Sequence, residues 1–319
     1  MTGAGGYIGS ALVKALASQS PGSLVLLDSS ERNLFEIQRQ VETACPILGS
    51  VENAALLDEV FDRFQPEIIF HAAAFKHVGL LEQNPFAAIR NNALGSYTLA
   101  RAALRHGVSK FVFVSTDKAV HPHSVMGVSK RIAELLTISL SCASCRINAI
   151  RLCNVIGSVG SVIPLFLEQL RKGQPLTVTD PDVSRYFLST KQAVAAILAA
   201  GVACCGGNIF LPKLASPVRI VDLAKLLGET APIRFTGLRP GEKLAEDLIG
   251  NGEKQIATID GPLTVIETRR LANAECEQAM EQLAAAVASR NIHQLLQVLS
   301  SLVPDYVPSS LMLKTTLQL

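Results

Sequence analysis

Three glycines, Gly3, Gly6 and Gly9, stand three residues apart at the start of the chain, in Met1-Thr2-Gly3-Ala4-Gly5-Gly6-Tyr7-Ile8-Gly9-Ser10. Glycines at that spacing permit a tight turn and let backbone N–H groups approach a pyrophosphate at the start of a helix. An apolar-periodic helix follows through Leu12, Val13 and Leu16, then the strand Leu24-Val25-Leu26-Leu27, which ends in Asp28. Asp28 lies nineteen residues beyond Gly9, close to where an acidic residue binds the adenosine ribose hydroxyls in NAD sites. A carboxylate there repels a 2′-phosphate, so NAD is expected rather than NADP; the plainer reading of Asp28 is a helix N-cap. Such a turn follows a buried strand, yet only Met1 and Thr2 precede Gly3. We therefore expect the natural chain to begin upstream, with a short Val/Ile/Leu strand buried on both faces.

A second unit lies near the middle. Lys110-Phe111-Val112-Phe113-Val114 reads as a buried strand, Pro122 and its polar neighbours as a loop, and Ser129 to Leu136 as a helix. Thr116, Asp117 and Lys118 then sit where a strand ends, the place where open α/β sheets put their chemistry. Met126 and Lys130 are four residues apart and share one helix face.

The composition excludes several classes. The chain has 319 residues, 49 % apolar and 18 % charged, as a folded globular protein requires. A net charge of +2 offers no nucleic-acid surface, and the absence of Trp argues against single-strand stacking platforms. Seven cysteines lack zinc spacing. Cys142-x-x-Cys145 could form a redox pair, but incidental thiols in a reduced, cytoplasmic chain are the better reading. The apolar stretch from Ala193 to Cys205 is too short to span a bilayer.

Further strands and loops follow the same pattern. Glu67-Ile68-Ile69-Phe70 reads as a strand leading into His71-Ala72-Ala73-Ala74-Phe75-Lys76-His77-Val78. Asn92 opens a helix, and Ile147 to Leu152 is a strand running into Cys153-Asn154. Asp182-Val183-Ser184-Arg185-Tyr186-Phe187 carries one arginine, and Leu238-Arg239-Pro240-Gly241-Glu242-Lys243-Leu244 another. Guanidinium groups bind phosphate bidentately; for either Arg alone a surface salt bridge is an equal reading.

Together these motifs resemble the extended short-chain dehydrogenase/reductases. Ser-Thr-Asp-Lys-Ala (115–119) followed by Val-Met-Gly-Val-Ser-Lys-Arg (125–131) is similar to one branch, the CapD-like UDP-N-acetylglucosamine 4,6-dehydratases of polysaccharide biosynthesis. The superfamily's usual Tyr is Met126 here, as in the long forms of that branch. The resemblance is strong over about residues 1 to 250 and thins to Leu302-Val303-Pro304-Asp305-Tyr306. It implies a Rossmann-like, doubly wound, mostly parallel α/β domain over 1–155, with a smaller mixed sugar-binding domain over 156–319. The chain is expected to re-enter the first domain once and to end in a helical tail.

The resemblance also implies site residues. Gly3, Gly6, Tyr7, Ile8, Gly9, Asp28, Ala72, Ala73, Ala74, Asn92 and Lys130 would hold NAD. Lys76, His77, Asn154, Arg185, Arg239 and Glu242 would hold a UDP-sugar. Thr116, Asp117, Lys118, Met126 and Lys130 would form the catalytic group, with Asp117 as acid and Lys118 as base. Burial beside the nicotinamide is expected to lower Lys118 toward neutrality. Met126 cannot accept the C4 hydroxyl proton, leaving Thr116 or a water held by Lys130 to relay it. A homo-oligomer is expected, and the long forms carry a membrane anchor ahead of this part. Alternative readings are a nucleotide-sugar 4-epimerase and a non-catalytic NAD-binding regulator.

Overall fold

The computed structural model describes residues 1–259 and 263–317. Its first half lays down five parallel strands: β1 (Val25–Asp28), β2 (Cys45–Leu48), β3 (Ile68–His71), β4 (Lys110–Thr116) and β5 (Arg146–Leu152). β4 and β5 are almost continuously buried, which is why they read as aliphatic and aromatic runs rather than alternating ones. β1 pairs with β2, and β3 with β4 and β4 with β5. Thr2 bridges the two groups: it pairs in parallel with Leu27 on one side and His71 on the other. Its N–H donates to Phe70 O and its carbonyl accepts from Ala72 N, each at 3.0 Å. Met1 and Thr2 thus occupy the central register in which the sequence calls for a strand.

The helices begin at legible signals. α1 (Tyr7–Ala17) springs from the glycine turn, and α2 (Glu31–Gln38) is capped by Ser30. α3 (Ala54–Phe64) is capped by Asn53, whose Oδ1 accepts from Leu56 N at 3.2 Å. Two short helices, α4 (Val78–Glu82) and α5 (Pro85–Ala88), lead through a π-helical turn over Ile89–Leu94 into α6 (Gly95–Arg105). α7 (Val125–Ser139) follows the β4 loop, its first turn capped by Ser124 Oγ, which accepts from Gly127 N at 3.1 Å.

The second half divides its strands between two bodies. β6 (Asn154–Val155), α8 (Val162–Arg171), β7 (Leu176–Val178), β8 (Ser184–Arg185) and β9 (Phe187–Leu188) lead away from the main sheet. α9 (Thr190–Val202) then packs on β4 and β5, and β10 (Ile209–Pro212) joins the sheet parallel to β5. The chain leaves again through β11 (Val218–Arg219), α10 (Ile220–Leu227) and β12 (Ile233–Phe235), which pair with β8 and β7 around a small core of Phe166, Leu176, Val178, Val183, Ile220 and Ala224. It returns as the antiparallel pair β13 (Lys254–Ile259) and β14 (Leu263–Glu267), giving the order β13-β14-β10-β5-β4-β3.

Two expectations are corrected here. The chain re-enters the main sheet twice rather than once, first through β10 and then through β13 and β14. The C-terminal part is no tail either: α11 (Asn273–Ala288), α12 (Ile292–Leu302) and α13 (Ser310–Leu317) bury Cys276, Leu283, Leu295, Leu299 and Met312. With α11 over its outer side, α7 has no exposed residue along its length. No helix among the described residues is long and apolar enough to cross a membrane.

Candidate active site

β4 delivers Thr116 to the sheet's C-terminal edge, where a single 3₁₀ turn over Asp117–Ala119 follows. That turn buries Asp117 completely. Asp117 Oδ1 accepts from Thr116 Oγ1 and from Lys118 Nζ, both at 2.9 Å, while its Oδ2 is buried without a hydrogen-bond partner. Lys118, its side chain 22 % exposed, also reaches Asn154 Oδ1 at 3.5 Å and Glu246 Oε1 at 3.8 Å. The expectation of a lowered Lys118 is not met by the protein's own groups. Burial pulls the amine down, but the Asp117 and Glu246 carboxylates outweigh it and hold Lys118 above the usual lysine value.

Lys130, one helix further, behaves in the opposite way. Its Nζ donates to Val114 O at 2.7 Å and lies 3.9 Å from the Phe113 ring centroid. Burial pushes it down to about 7, against a smaller pull from Glu134. Met126 is buried in the main core, one turn before Lys130.

The glycine turn has the shape of a dinucleotide cradle. Gly3 has φ of +65°, and a Cβ there would lie 2.5 Å from Ala73 N, so the turn presses directly on the Ala72–Ala74 backbone. A Cβ at Gly9 would lie 1.9 Å from Gly3 O. At Gly6 it would meet only that carbonyl, at 3.3 Å, and no side chain caps α1 there. The helix N-terminus therefore presents its positive end to a small open space lined by backbone, which suits a diphosphate. Asp28 orders the turn: its carboxylate accepts from Gly5 N and Ser30 N, both at 2.9 Å. Its N-cap alternative falls to Ser30. Tyr7 turns away, its hydroxyl donating to Ile156 O at 2.8 Å and meeting Thr190 Oγ1 at 3.0 Å. Ile8 packs on the second apolar cluster. Asn92 sits in the π-helical turn and clamps Phe75 through its N–H and carbonyl, at 2.8 and 3.0 Å, and Ser129 Oγ at 3.0 Å. Its side chain thereby ties the Ala72–Val78 loop to α7.

The residues expected at the sugar are less concentrated. Lys76 Nζ donates to Val159 O at 2.8 Å, and the His77 ring packs on Gly160. Both join the loop after β3 to the loop before α8. Asn154 Nδ2 donates to Tyr186 O at 3.1 Å while its Oδ1 faces Lys118. Arg185 is committed to carbonyls, donating to Ser184 O, Leu244 O and Lys243 O at 2.8, 3.0 and 2.8 Å. Arg239 is exposed, and its N–H donates to Glu242 Oε2 at 3.2 Å. The structure thus brings Thr116, Asp117, Lys118 and Asn154 together, and places Arg239 on an exposed turn with Glu242 as its hydrogen-bond partner.

The family model described as "Polysaccharide biosynthesis protein" matches residues 1–267. The chain belongs to that family. Among this family member's relatives, the capsular polysaccharide biosynthesis protein CapD of Staphylococcus aureus is 42 % identical over 79 % of this chain and 45 % of its own length. The chain thus spans less than half the length of that relative. The UDP-N-acetylglucosamine 4,6-dehydratase (inverting) of Campylobacter jejuni is 30 % identical, over 80 % of this chain and 78 % of the relative. A UDP-glucose 4-epimerase of Rickettsia canadensis is 40 % identical, over 64 % of this chain and 61 % of the relative. Among solved structures, Pen from Bacillus thuringiensis superposes with a TM-score of 0.77 at 28 % identity, covering 85 % of this chain and 86 % of that one. A Streptomyces venezuelae dTDP-glucose 4,6-dehydratase with NAD bound shares the fold, at TM-score 0.69 and 23 % identity over 78 % of this chain and 87 % of that one.

Sequence reasoning passed over several buried charges in this member of the family. Glu246 is buried beside Lys118, with Arg185 Nε at 3.8 Å and Lys243 Nζ at 3.5 Å. Its signal was its closeness in sequence to Glu242, a residue already singled out. Deeper in, Arg151 is wholly enclosed between Glu134 and Glu253, with contacts of 2.8 and 2.6 Å, and Arg131 touches both carboxylates.

Proposed function

We propose that this chain carries out NAD-dependent 4,6-dehydration of UDP-N-acetylglucosamine in polysaccharide biosynthesis. The observation that carries the reading is the buried Asp117–Lys118 pair at the end of β4, beside a cradle that fits a dinucleotide. Gly3, Gly6 and Gly9 would hold the cofactor's diphosphate on the N-terminus of α1. Asp28, its orientation fixed by Gly5 and Ser30, has lone pairs left for the ribose hydroxyls. When bound, NAD would supply the hydride acceptor for C4 of the sugar and the hydride donor for C6.

The protein's own groups meet the remaining demands. Oxidation at C4 acidifies the C5 proton, and Lys118 is the base placed to take it. Loss of water from C6 needs an acid, and Asp117 is the group next to Lys118. The pair shares one proton across a 2.9 Å hydrogen bond. Transfer from Nζ to Oδ1 breaks an N–H bond and forms an O–H bond, turning the ion pair into a neutral acid beside a neutral amine. No proton is exchanged with solvent. The C4 hydroxyl proton needs an acceptor other than Met126, and Lys130, held at about 7, is able to hold it at neutral pH.

A second reading, a UDP-sugar 4-epimerase, is favoured by the 40 % identity to the Rickettsia canadensis epimerase. Epimerisation needs no acid–base pair for C5 and C6, so the two readings separate cleanly. Incubation with UDP-N-acetylglucosamine and NAD should yield a product lighter by one water in mass spectrometry. Asp117→Asn should slow that loss by about 10²–10⁴ and leave NAD binding intact. A product of unchanged mass with inverted C4 would establish the epimerase instead.

A further inference from the structure

Among the described residues, Glu246 is the buried carboxylate beside Lys118 that the proposed reaction leaves without a task. It enters from the segment after Gly241, a different element from β4, and its Oε2 is buried without a hydrogen-bond partner. Three cations surround it: Lys118 Nζ and Arg185 Nε at 3.8 Å, and Lys243 Nζ at 3.5 Å. Lys243 is itself held in place, donating to Val120 O and His121 O at 3.1 and 3.3 Å. Arg185, anchored by three carbonyls, serves as a strut behind the carboxylate. Glu246 is therefore held at ion-pair distance from Lys118, whose amine also meets Asp117.

We propose that Glu246 is a positioning residue that sets where the proton shared by Asp117 and Lys118 resides. This rests on the acid–base roles given to that pair above. An anion at this distance from Nζ favours the charged amine, so Glu246 biases the pair toward Lys118⁺ and Asp117⁻. The reaction needs the opposite tautomer. A Glu246 screened by Lys243 and Arg185 holds the bias low enough for the proton to cross once substrate closes the site. Arg185 and Cys153, which borders Asp117 and Lys118, act on the same pair. His123, Asp247 and His121 are the further titratable groups near Glu246 and Lys243 among the described residues. The raised affinity of Lys118 for its proton, to which Glu246 contributes after Asp117, agrees with this geometry.

The test reads Lys118 directly. Only the neutral amine is acylated, so the rate at which acetic anhydride labels Lys118, followed by peptide mass spectrometry across pH, reports its titration. In the wild type without added NAD the midpoint should lie above that of an ordinary lysine. In Glu246→Gln it should fall by about one unit or more, so labelling at a given pH below the midpoint quickens roughly tenfold. Glu246→Asp, which keeps the charge, should restore most of the shift. An unmoved midpoint in a folded Glu246→Gln protein would overturn the assignment. Should that variant not fold, Lys243→Met removes the screening cation and should move the midpoint up; no rise there would overturn it equally. Turnover is a separate readout. A shifted midpoint with no loss of water from UDP-N-acetylglucosamine in the wild type would sink the dehydratase reading and leave Glu246 its role.

Discussion

Lys118 and Lys130 belong to one strand–loop–helix unit and burial lowers both; the Asp117 and Glu246 carboxylates outweigh it at Lys118, whereas the pull of Glu134 does not at Lys130. The depressed Lys130 has a consequence for stability. Above about 7 the folded protein has released a proton that the unfolded chain keeps until about 10.4. The Lys130 contribution to the stability of the NAD-free protein should therefore rise with pH between those values, so the wild type should gain on Lys130→Met in denaturant titrations as pH rises. The glycines make a second test. Gly9→Ala forces a Cβ onto the Gly3 carbonyl and should lower the melting temperature, whereas Gly6→Ala should leave it nearly unchanged and weaken NAD binding. On the role proposed for Asp28 at the ribose, NAD should bind more tightly than NADP; equal affinities in a titration would return Asp28 to a purely structural role. These residues were legible because each is read from local spacing. The charge state of Lys118 was less so: Asp117 is its neighbour, but Glu246, which adds to that pull, approaches from more than a hundred positions downstream.

At the scale of elements, the strands and helices around the nucleotide cradle follow from aliphatic runs and cap residues that act locally. The two-residue strands of the small body do not, since pairs such as Ser184–Arg185 with Val218–Arg219 exist only through their partners. The Arg151 network was equally hidden. A charged residue in an aliphatic strand suggests an edge, and here β5 is flanked on both sides. Arg151 ties β5 to α7 through Glu134 and to the turn before β13 through Glu253, with Thr268 completing the set at 3.2 Å from Glu253. Arg151→Met should destabilise the protein by about 3–5 kcal/mol, because two buried carboxylates lose their main counter-charge. Burial alone would raise Glu253, but bonds and charge from Arg151, with Arg131, outweigh it and hold the carboxyl at about 2. Its stabilising share is present above the ordinary carboxylate range near 4.3 and is lost as pH falls toward about 2. Acid unfolding followed by circular dichroism should show that loss in the wild type and much less of it in a Glu253→Gln background.

Over the whole molecule, the C-terminal segment closes the structure onto its own site. Val307 N donates to Pro122 O at 3.0 Å, and Ser309 Oγ donates to Glu82, whose other oxygen accepts from Val125 N at 2.6 Å at the start of α7. Burial raises Glu82 above the usual carboxylate range. Removing residues beyond Leu302 would strip Val303, Tyr306 and Met312 from the core. At about 1.5–3 kcal/mol for each buried side chain, the shortened chain should unfold at clearly lower denaturant; an unchanged midpoint would show the strap to be ornamental. In the sequence this segment offered only Leu302-Val303-Pro304-Asp305-Tyr306, and the partners of the residues just beyond it, Pro122 for Val307 and Glu82 for Ser309, lie far upstream. The enclosure of α7 reaches beyond stability. An ordinary amphipathic helix has a wet side on which substitutions accumulate harmlessly, so variation among its descendants is periodic. From Val125 to Ser139 no such side exists. A saturation library across these positions should show intolerance at every phase of the helical turn, leaving the lineage almost no freedom to drift where its chemistry is mounted.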